Sequence, residues 1–346
     1  MTGSAINLEF AYITLAFVLL GMVACGVSAG LVLWLRPLLV RYVMAKPNQR
    51  SSHKVPTPQG GGIAVIAAVV VALACAVVIV PDLESSMRTL GILVAATLGL
   101  AIVGVSDDVR PLGATPRLIL QGLAVAVVIA ILPADLRVLP IVPWWLERIL
   151  MLIAGVWLVN LVNFMDGIDL MTVAEVVPVT VGLTIASALG ALPAEGTVVA
   201  VVLCGAMLGF APFNKPVATI FLGDVGSLPI GLLMFWMLLL LAGGGYLAAA
   251  ILLPLYYVAD ATVTLIRRFR NGEQITQAHR SHFYQRALDR GLSVRMIVAR
   301  VVALNVSLIV LATTTILFPS LETDAIALTA GLALVGWRLY RFERST

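Results

Sequence analysis

Gly62-Ile-Ala-Val-Ile-Ala-Ala-Val-Val-Val-Ala-Leu-Ala-Cys75-Ala-Val-Val-Ile-Val80 carries no charged residue along its whole length. A run this long and this apolar reads as a transmembrane helix. Similar runs recur on both sides of it. Their approximate limits are 10–35, 62–80, 89–105, 118–132, 148–164, 171–191, 197–213, 226–242, 247–265, 296–317 and 325–339, about eleven in all. The whole chain agrees: 61% of its 346 residues are hydrophobic, only 12% are charged, and the mean hydropathy is +1.05. No soluble protein of this size needs so much apolar surface. The runs are continuous rather than alternating, which favours a helical bundle over a membrane β-barrel. The expected fold is therefore all-α, an integral membrane protein with one polytopic domain over residues 1–346, a helical bundle of about 10–11 transmembrane helices.

Charge orients the spans. With the N-terminus outside, 19 of the 22 Lys and Arg residues fall in inner loops or the tail, leaving Arg88, Arg137 and Arg148 outside. Such an excess marks the cytoplasmic side. A pI near 9.1 then needs no nucleic acid, because anionic lipid headgroups and phosphorylated substrates suffice as partners. The first apolar run lacks the basic segment of a secretory signal and reads as a retained helix. Cys25, Cys75 and Cys204 are odd in number and lie in apolar runs, so they predict neither disulfides nor a zinc site.

The same threading places four polar clusters on the cytoplasmic side. Asp107-Asp108 ends a span. Adjacent acids repel unless a cation or proton offsets them, so a divalent metal, a general base or a solvated loop are the readings. Arg117 opens the next span, where it can meet an anionic headgroup. Asn160, Asn163, Asp166 and Asp169 recur every three residues, and Gly167 marks a break in the helix. Amides and acids in that order suit a nucleotide, a sugar hydroxyl or a metal, whereas helix capping accounts for one of them.

Asp224, in Phe221-Leu-Gly-Asp-Val-Gly-Ser227, opens a span from a glycine-flanked turn. A carboxylate there can hold Mg²⁺ together with phosphate oxygens. Phe221 either stacks on a flat base or simply packs. His279 and His282 stand three apart among arginines, as a phosphate-binding or proton-handling patch rather than a zinc site, on a short amphipathic helix within 266–295 that also carries Ile275. The prolines and the triple glycine Gly60-Gly61-Gly62 of the first inner loop read as a turn or as amides open to a ligand. Asp260, inside the ninth span, is expected to pair with Arg267 or Arg268. The outer connections, with Trp144 and Trp145 as interfacial anchors, suggest no chemistry.

These residues resemble the polyprenyl-phosphate N-acetylhexosamine-1-phosphate transferases, the family of phospho-MurNAc-pentapeptide translocase and of O-antigen initiating transferases. The resemblance spans roughly residues 46–295. It rests on Ser106-Asp107-Asp108, on Asn163-Phe-Met-Asp166-Gly-Ile-Asp169, on Asn214 through Phe221 to Asp224-Val-Gly-Ser227, and on His279-Arg280-Ser281-His282-Phe283. It implies transfer of an amino-sugar 1-phosphate from a UDP-sugar to undecaprenyl phosphate, with release of UMP, in the bacterial inner (cytoplasmic) membrane. By the same resemblance Asp224 would hold Mg²⁺, with Mn²⁺ admitted beside it. Asp107 would deprotonate or position the acceptor, and Asp108 would support the metal or the acceptor. Asn163, Asp166, Asp169, Asn214 and Phe221 would hold the nucleotide; Arg117, His279, Arg280 and His282 would neutralise phosphates. A second copy of the chain is admitted as a partner.

Two departures stand out. Leu170 replaces the glycine that often follows the Asp-Gly-x-Asp element, and Arg280 and Ser281 replace the first two of three histidines found in the translocase branch. The pattern is closer to transferases that start O-antigen or other surface glycans than to cell-wall precursor synthesis. A lipid-linked glycan flippase is the alternative from another class. It predicts charges at mid-membrane and an internal repeat; no repeat is found, and apart from Asp260 and Glu175 the charges gather at one border.

Overall fold

The run that opens at Gly62 is helical to Ile79, and almost everything around it is helical too. The computed structural model describes residues 3–42, 44–45, 56–80, 83–274 and 279–344. In chain order the helices are α1 (Gly3–Tyr42), α2 (Gly62–Ile79), α3 (Met87–Val109), α4 (Ala114–Ala130), α5 (Trp144–Met165), α6 (Met171–Ala188) and α7 (Ala194–Asn214). Then come α8 (Asp224–Gly243), α9 (Leu247–Leu252), α10 (Leu255–Arg270), α11 (Phe283–Asp289), α12 (Val294–Leu317) and α13 (Leu321–Arg344). Two strands of two residues each, β1 (Met44–Ala45) and β2 (Thr57–Pro58), pair antiparallel. Among the described residues eight helices are long and apolar enough to cross a membrane: α1, α2, α3, α5, α6, α7, α8 and α12. The chain is a multi-pass helical membrane protein.

Each expected span falls in a helix, with corrections. The segment 247–265 is not one helix, because α9 stops at Leu252 and α10 starts at Leu255. Pro254 lies between them, and proline lacks the amide hydrogen and collides with the preceding turn. The apolar helix α4 is short, at 17 residues. The amphipathic helix expected in 266–295 is shorter than its pattern suggested. α11 begins only at Phe283, so His279 and His282 precede it in non-helical chain and share no helix face. Ile275 lies outside the described residues, as do Lys46 to Val55 of the first polar loop.

α8 is the axis of the bundle. Every residue from Val225 to Ala242 is buried, against α2, α3, α5 and α9. A helix that is apolar on all sides belongs in such a place. Within a bilayer, helices gain little from leaving lipid, so close packing over small residues holds them together. That is what surrounds the first turn of α8. A Cβ on Gly104 of α3 would fall on the backbone of Asp224, and one on Gly62 of α2 would fall on Gly226.

At the other end of α5, Glu147 is buried and ties down the preceding loop. It pairs with Arg137 and accepts from the amides of Val138 (2.6 Å) and Leu139 (2.7 Å). Trp144 and Trp145 remain exposed there, as interfacial anchors do.

The Gly104 contact makes a checkable claim. Gly104→Leu is expected to destabilise the bundle by at least about 1–3 kcal/mol, seen as a lower thermal midpoint in detergent. Gly99→Leu, on the same helix but facing open space, should leave the midpoint unchanged. Equal midpoints for the two variants would contradict the α3–α8 packing.

Candidate active site

The four polar clusters meet at one end of the bundle, where α3 and α5 end and α8 begins. Asp108 reaches from α3 onto the open N-terminus of α8. Its Oδ1 accepts from the Asp224 amide (3.0 Å) and its Oδ2 from the Val225 amide (3.2 Å). Gln59 Nε2 donates to Oδ1 as well (2.5 Å). Free amides at a helix start need acceptors, and a negative charge there is favoured by the helix dipole. Gly223, at φ +76°, turns the chain into α8, and a side chain there would collide with the Asp108 carboxylate. Asp108 therefore caps a helix and is not among the residues that line the cleft described below.

Asp107 faces the other way. Its Oδ1 accepts from the Leu112 amide (2.6 Å) and its Oδ2 from Arg117 Nη1 (3.0 Å). The same Nη1 lies 3.8 Å from Asp224 Oδ2. Asn163 Nδ2 donates to Asp224 Oδ1 (2.7 Å) and to Ser227 Oγ (2.9 Å). These four side chains edge a cleft of about 1000 Å³, joined by His279 and His282. The rest of the lining is largely apolar, with Leu118 of α4, Leu152, Ile153, Val156 and Trp157 of α5, and Leu265 of α10.

One guanidinium nitrogen of Arg117 lies between the Asp107 and Asp224 carboxyls and serves both, which places the two acids close together. Two acids so close repel unless a cation or proton stands between them. Mg²⁺ needs one or two carboxylates and takes water and substrate phosphates for the rest. Among the described residues no group of three or more His, Cys, Asp or Glu converges on one point. The donor set thus fits a hard ion shared with a substrate, and it does not make a protein-only zinc site at the histidines.

The remaining residues of the expected nucleotide set form a latch beside the cleft. Asn214, at the end of α7, accepts from the Leu170 amide (2.7 Å) and donates to the Ile220 carbonyl (3.0 Å). Asp169 accepts from the Ala218 amide (3.1 Å), and Asp166 accepts from the Thr172 hydroxyl. The break read at Gly167 is present: α5 ends at Met165 and α6 begins at Met171. Leu170, which stands where the family often has glycine, is left-handed at φ +62°. A leucine there carries strain of about 1–2 kcal/mol that glycine avoids. Burial pushes the Asp166 carboxyl up to about 6, the Asp108 and Asp169 charges push the same way, and the Thr172 hydroxyl opposes them.

Several expectations are corrected. The amides of Gly60, Gly61 and Gly62 are not open to a ligand: the first two donate to the Phe221 carbonyl (3.2 and 2.8 Å) and the third to Leu222 (2.8 Å). The backbone of Phe221 is thereby pinned, its amide donating to Pro58 (2.8 Å). Arg280 turns from the cleft to Asp289 of α11 (2.8 Å). Asp260 binds His282 (3.1 Å), while Arg267 pairs with Glu343 (3.2 Å) and Arg268 with Glu273 (2.8 Å). Burial pushes the His279 imidazole down to about 4, with His282 and Arg268 adding to the fall.

Sequence reasoning missed Gln59, Gln121 and Thr172. Gln121 Oε1 accepts from Asn160 Nδ2 (2.6 Å), a tie between α4 and α5 at a residue that also lines the cleft. Its signal was legible, a lone amide inside an apolar helix. Gln59 and Thr172 gave none, because common polar residues beside turns are unremarkable.

Comparison with known proteins agrees with this geometry. The model of "Glycosyl transferase family 4" matches residues 90–242, from α3 to the end of α8. The chain is 30% identical to a decaprenyl-phosphate N-acetylglucosaminephosphotransferase of Mycolicibacterium smegmatis, over 96% of this chain and 88% of the relative. It is 27% identical to a probable undecaprenyl-phosphate N-acetylglucosaminyl 1-phosphate transferase of Bacillus subtilis, over 80% of this chain and 79% of the relative. A phospho-N-acetylmuramoyl-pentapeptide-transferase of Symbiobacterium thermophilum is 31% identical over 55% of this chain and 61% of its own length. With a relative at this identity aligned across nearly its whole length, the chain belongs to glycosyl transferase family 4 and is a membrane phosphotransferase of that family.

Proposed function

We propose that the protein transfers an N-acetylated amino-sugar 1-phosphate from a UDP-sugar to undecaprenyl phosphate in the bacterial inner membrane, starting a lipid-linked surface glycan of the O-antigen type. The observation that carries this reading is the mixed lining of the cleft, which gathers Asp107, Arg117, Asn163, Asp224 and two histidines together with a broad apolar surface. A lipid phosphate needs both at once, a charged pocket for its head and an oily surface beside it. The names of the relatives support a prenyl phosphate acceptor, and those with the longest alignments support N-acetylglucosamine as the sugar.

In the reaction an oxygen of the acceptor phosphate attacks the sugar-bearing phosphorus of the UDP-sugar. The bond to the bridging oxygen breaks, UMP leaves, and a lipid diphosphate sugar remains. The protein's part is positioning and charge. Asp107 holds the acceptor phosphate and takes its proton where one is present, and Arg117 offsets the charge that gathers there. Asp108 works indirectly, by setting Asp224 from behind. Asn163 fixes the Asp224 carboxylate, while the 166–170 loop and the Asn214 latch form the bed for the nucleotide, with Phe221 beside it. Mg²⁺, or Mn²⁺ in its place, would be held by Asp224 next to Asp107 and would supply charge neutralisation on the diphosphate. The cleft faces the cytoplasm in this reading, where nucleotide sugars are found.

Purified protein with undecaprenyl phosphate, Mg²⁺ and a panel of UDP-amino sugars should release UMP with one of them, and EDTA should abolish it. Asp224→Asn is expected to lose at least about a hundredfold in kcat while still inserting and purifying. Near-normal turnover in that variant would remove the metal assignment, and release of UMP without lipid would remove the acceptor.

The Asp166 carboxyl gives a pH test. Its ionised form is the one that accepts from a ribose or base, so activity should fall as pH drops below about 6. The Thr172 hydroxyl favours that ionised form. Thr172→Val raises the carboxyl further, and the acid limb of kcat/KM should move up by about one pH unit. A limb that stays in place would detach Asp166 from the reaction.

A further inference from the structure

Asp260 is wholly buried on α10, away from the acids that edge the cleft, and it collects an unusual number of donors. Its Oδ1 accepts from His282 Nδ1 (3.1 Å), the Phe283 amide (3.1 Å) and the Thr264 hydroxyl (3.4 Å). Its Oδ2 accepts from the Tyr256 hydroxyl (3.3 Å) and the Tyr284 amide (3.4 Å). The carboxylate thus caps α11 from a neighbouring helix and grips the histidine just before it. Such caps satisfy amides that would otherwise be buried unpaired.

The geometry also decides which face of His282 is in use. With Nδ1 on Asp260, Nε2 is the nitrogen left for the cleft that His282 lines. The ring has no room to turn: His279 lies 4.9 Å away between centroids and Tyr284 stacks at 5.8 Å. Arg267, seven residues along α10, donates to the Ser281 carbonyl (2.9 Å) and fixes the backbone immediately before the ring.

We propose that Asp260 is a positioning residue for the transfer reaction, holding His282 through Nδ1 so that Nε2 faces a phosphate oxygen of the nucleotide sugar and donates to it when the ring carries both protons. The carboxylate balances the charge of a ring protonated on both nitrogens. An oriented carboxylate behind a histidine commonly matters about 10–100-fold to the site it serves. This assignment rests on the transfer reaction proposed above, and its tests keep the two apart.

The first test is a double-variant cycle on the full chain. Asp260→Ala is expected to lower kcat about 10–100-fold. In a His282→Ala background the same change should cost no more than about twofold, because its effect passes through the ring. Equal losses in both backgrounds would assign Asp260 to folding alone and overturn the proposal. If Asp260→Ala does not fold, Asp260→Asn keeps the shape and removes the charge, and the same non-additivity is expected.

The second test needs no turnover. The chain has three histidines, so ¹⁵N-histidine spectra of the full protein in nanodiscs are simple to assign with His282→Ala. One ring should show a protonated, hydrogen-bonded Nδ1 that disappears in His282→Ala and loses that signature in Asp260→Ala or Asp260→Asn. A His282 signal indifferent to residue 260 would refute the arrangement. Absence of UMP release in the wild type would count against the transfer reaction and leave this spectral result standing.

Discussion

The grip of the Asp108 carboxylate on the first two amides of α8 is the contact on which the rest of the site depends. From Val225 onward α8 is sheathed by other helices, and the first two amides of the helix take their acceptors from the protein. Asp108 can supply them only because Gly104, one turn earlier on α3, lets the two backbones touch. Steric smallness at one position and charge at another act on the same few atoms. Asp224 is the residue at that junction, held by its amide from one side and by its carboxylate through Asn163 from the other.

That constraint separates two neighbouring acids that look alike in sequence. Asp107 and Asp108 are adjacent, yet near a helix end consecutive side chains leave the axis about 100° apart. One points into α8 and has its lone pairs filled by amides. The other points along the cleft to Arg117. Their division of labour follows from geometry rather than from any difference in chemistry.

Much of the fold was legible because a membrane simplifies the grammar. Uninterrupted apolar runs locate helices, and the breaks at Gly167 and the glycine turn before Asp224 stood where the polar ladder said. What stayed illegible was partnership. Asp260 was visible as a buried acid, and arginines on its own helix were the natural guess, but three of its donors come from a segment more than twenty residues away. The triple glycine suggested amides open to a ligand; the carbonyls of Phe221 and Leu222 take them instead. The split at Pro254 was readable in principle, since a proline inside a predicted span is a warning, and the continuous apolarity around it hid the break. Arg280 sits in a motif that suggests phosphate, yet Asp289, nine residues along the same segment, captures it.

The Asn214 latch has a consequence for how the site meets a ligand. One side-chain amide joins the loop after α5 to the loop before α8, and Asp169 adds a second stitch between them. The two loops are therefore ordered by folding, before anything binds. A ligand settling on them need not supply the entropy of arranging them, so more of its contact energy remains as affinity. The same rigidity narrows what fits. A ligand with the wrong contour meets a surface already braced by these bonds, and selectivity arises from stiffness as well as from matched hydrogen bonds.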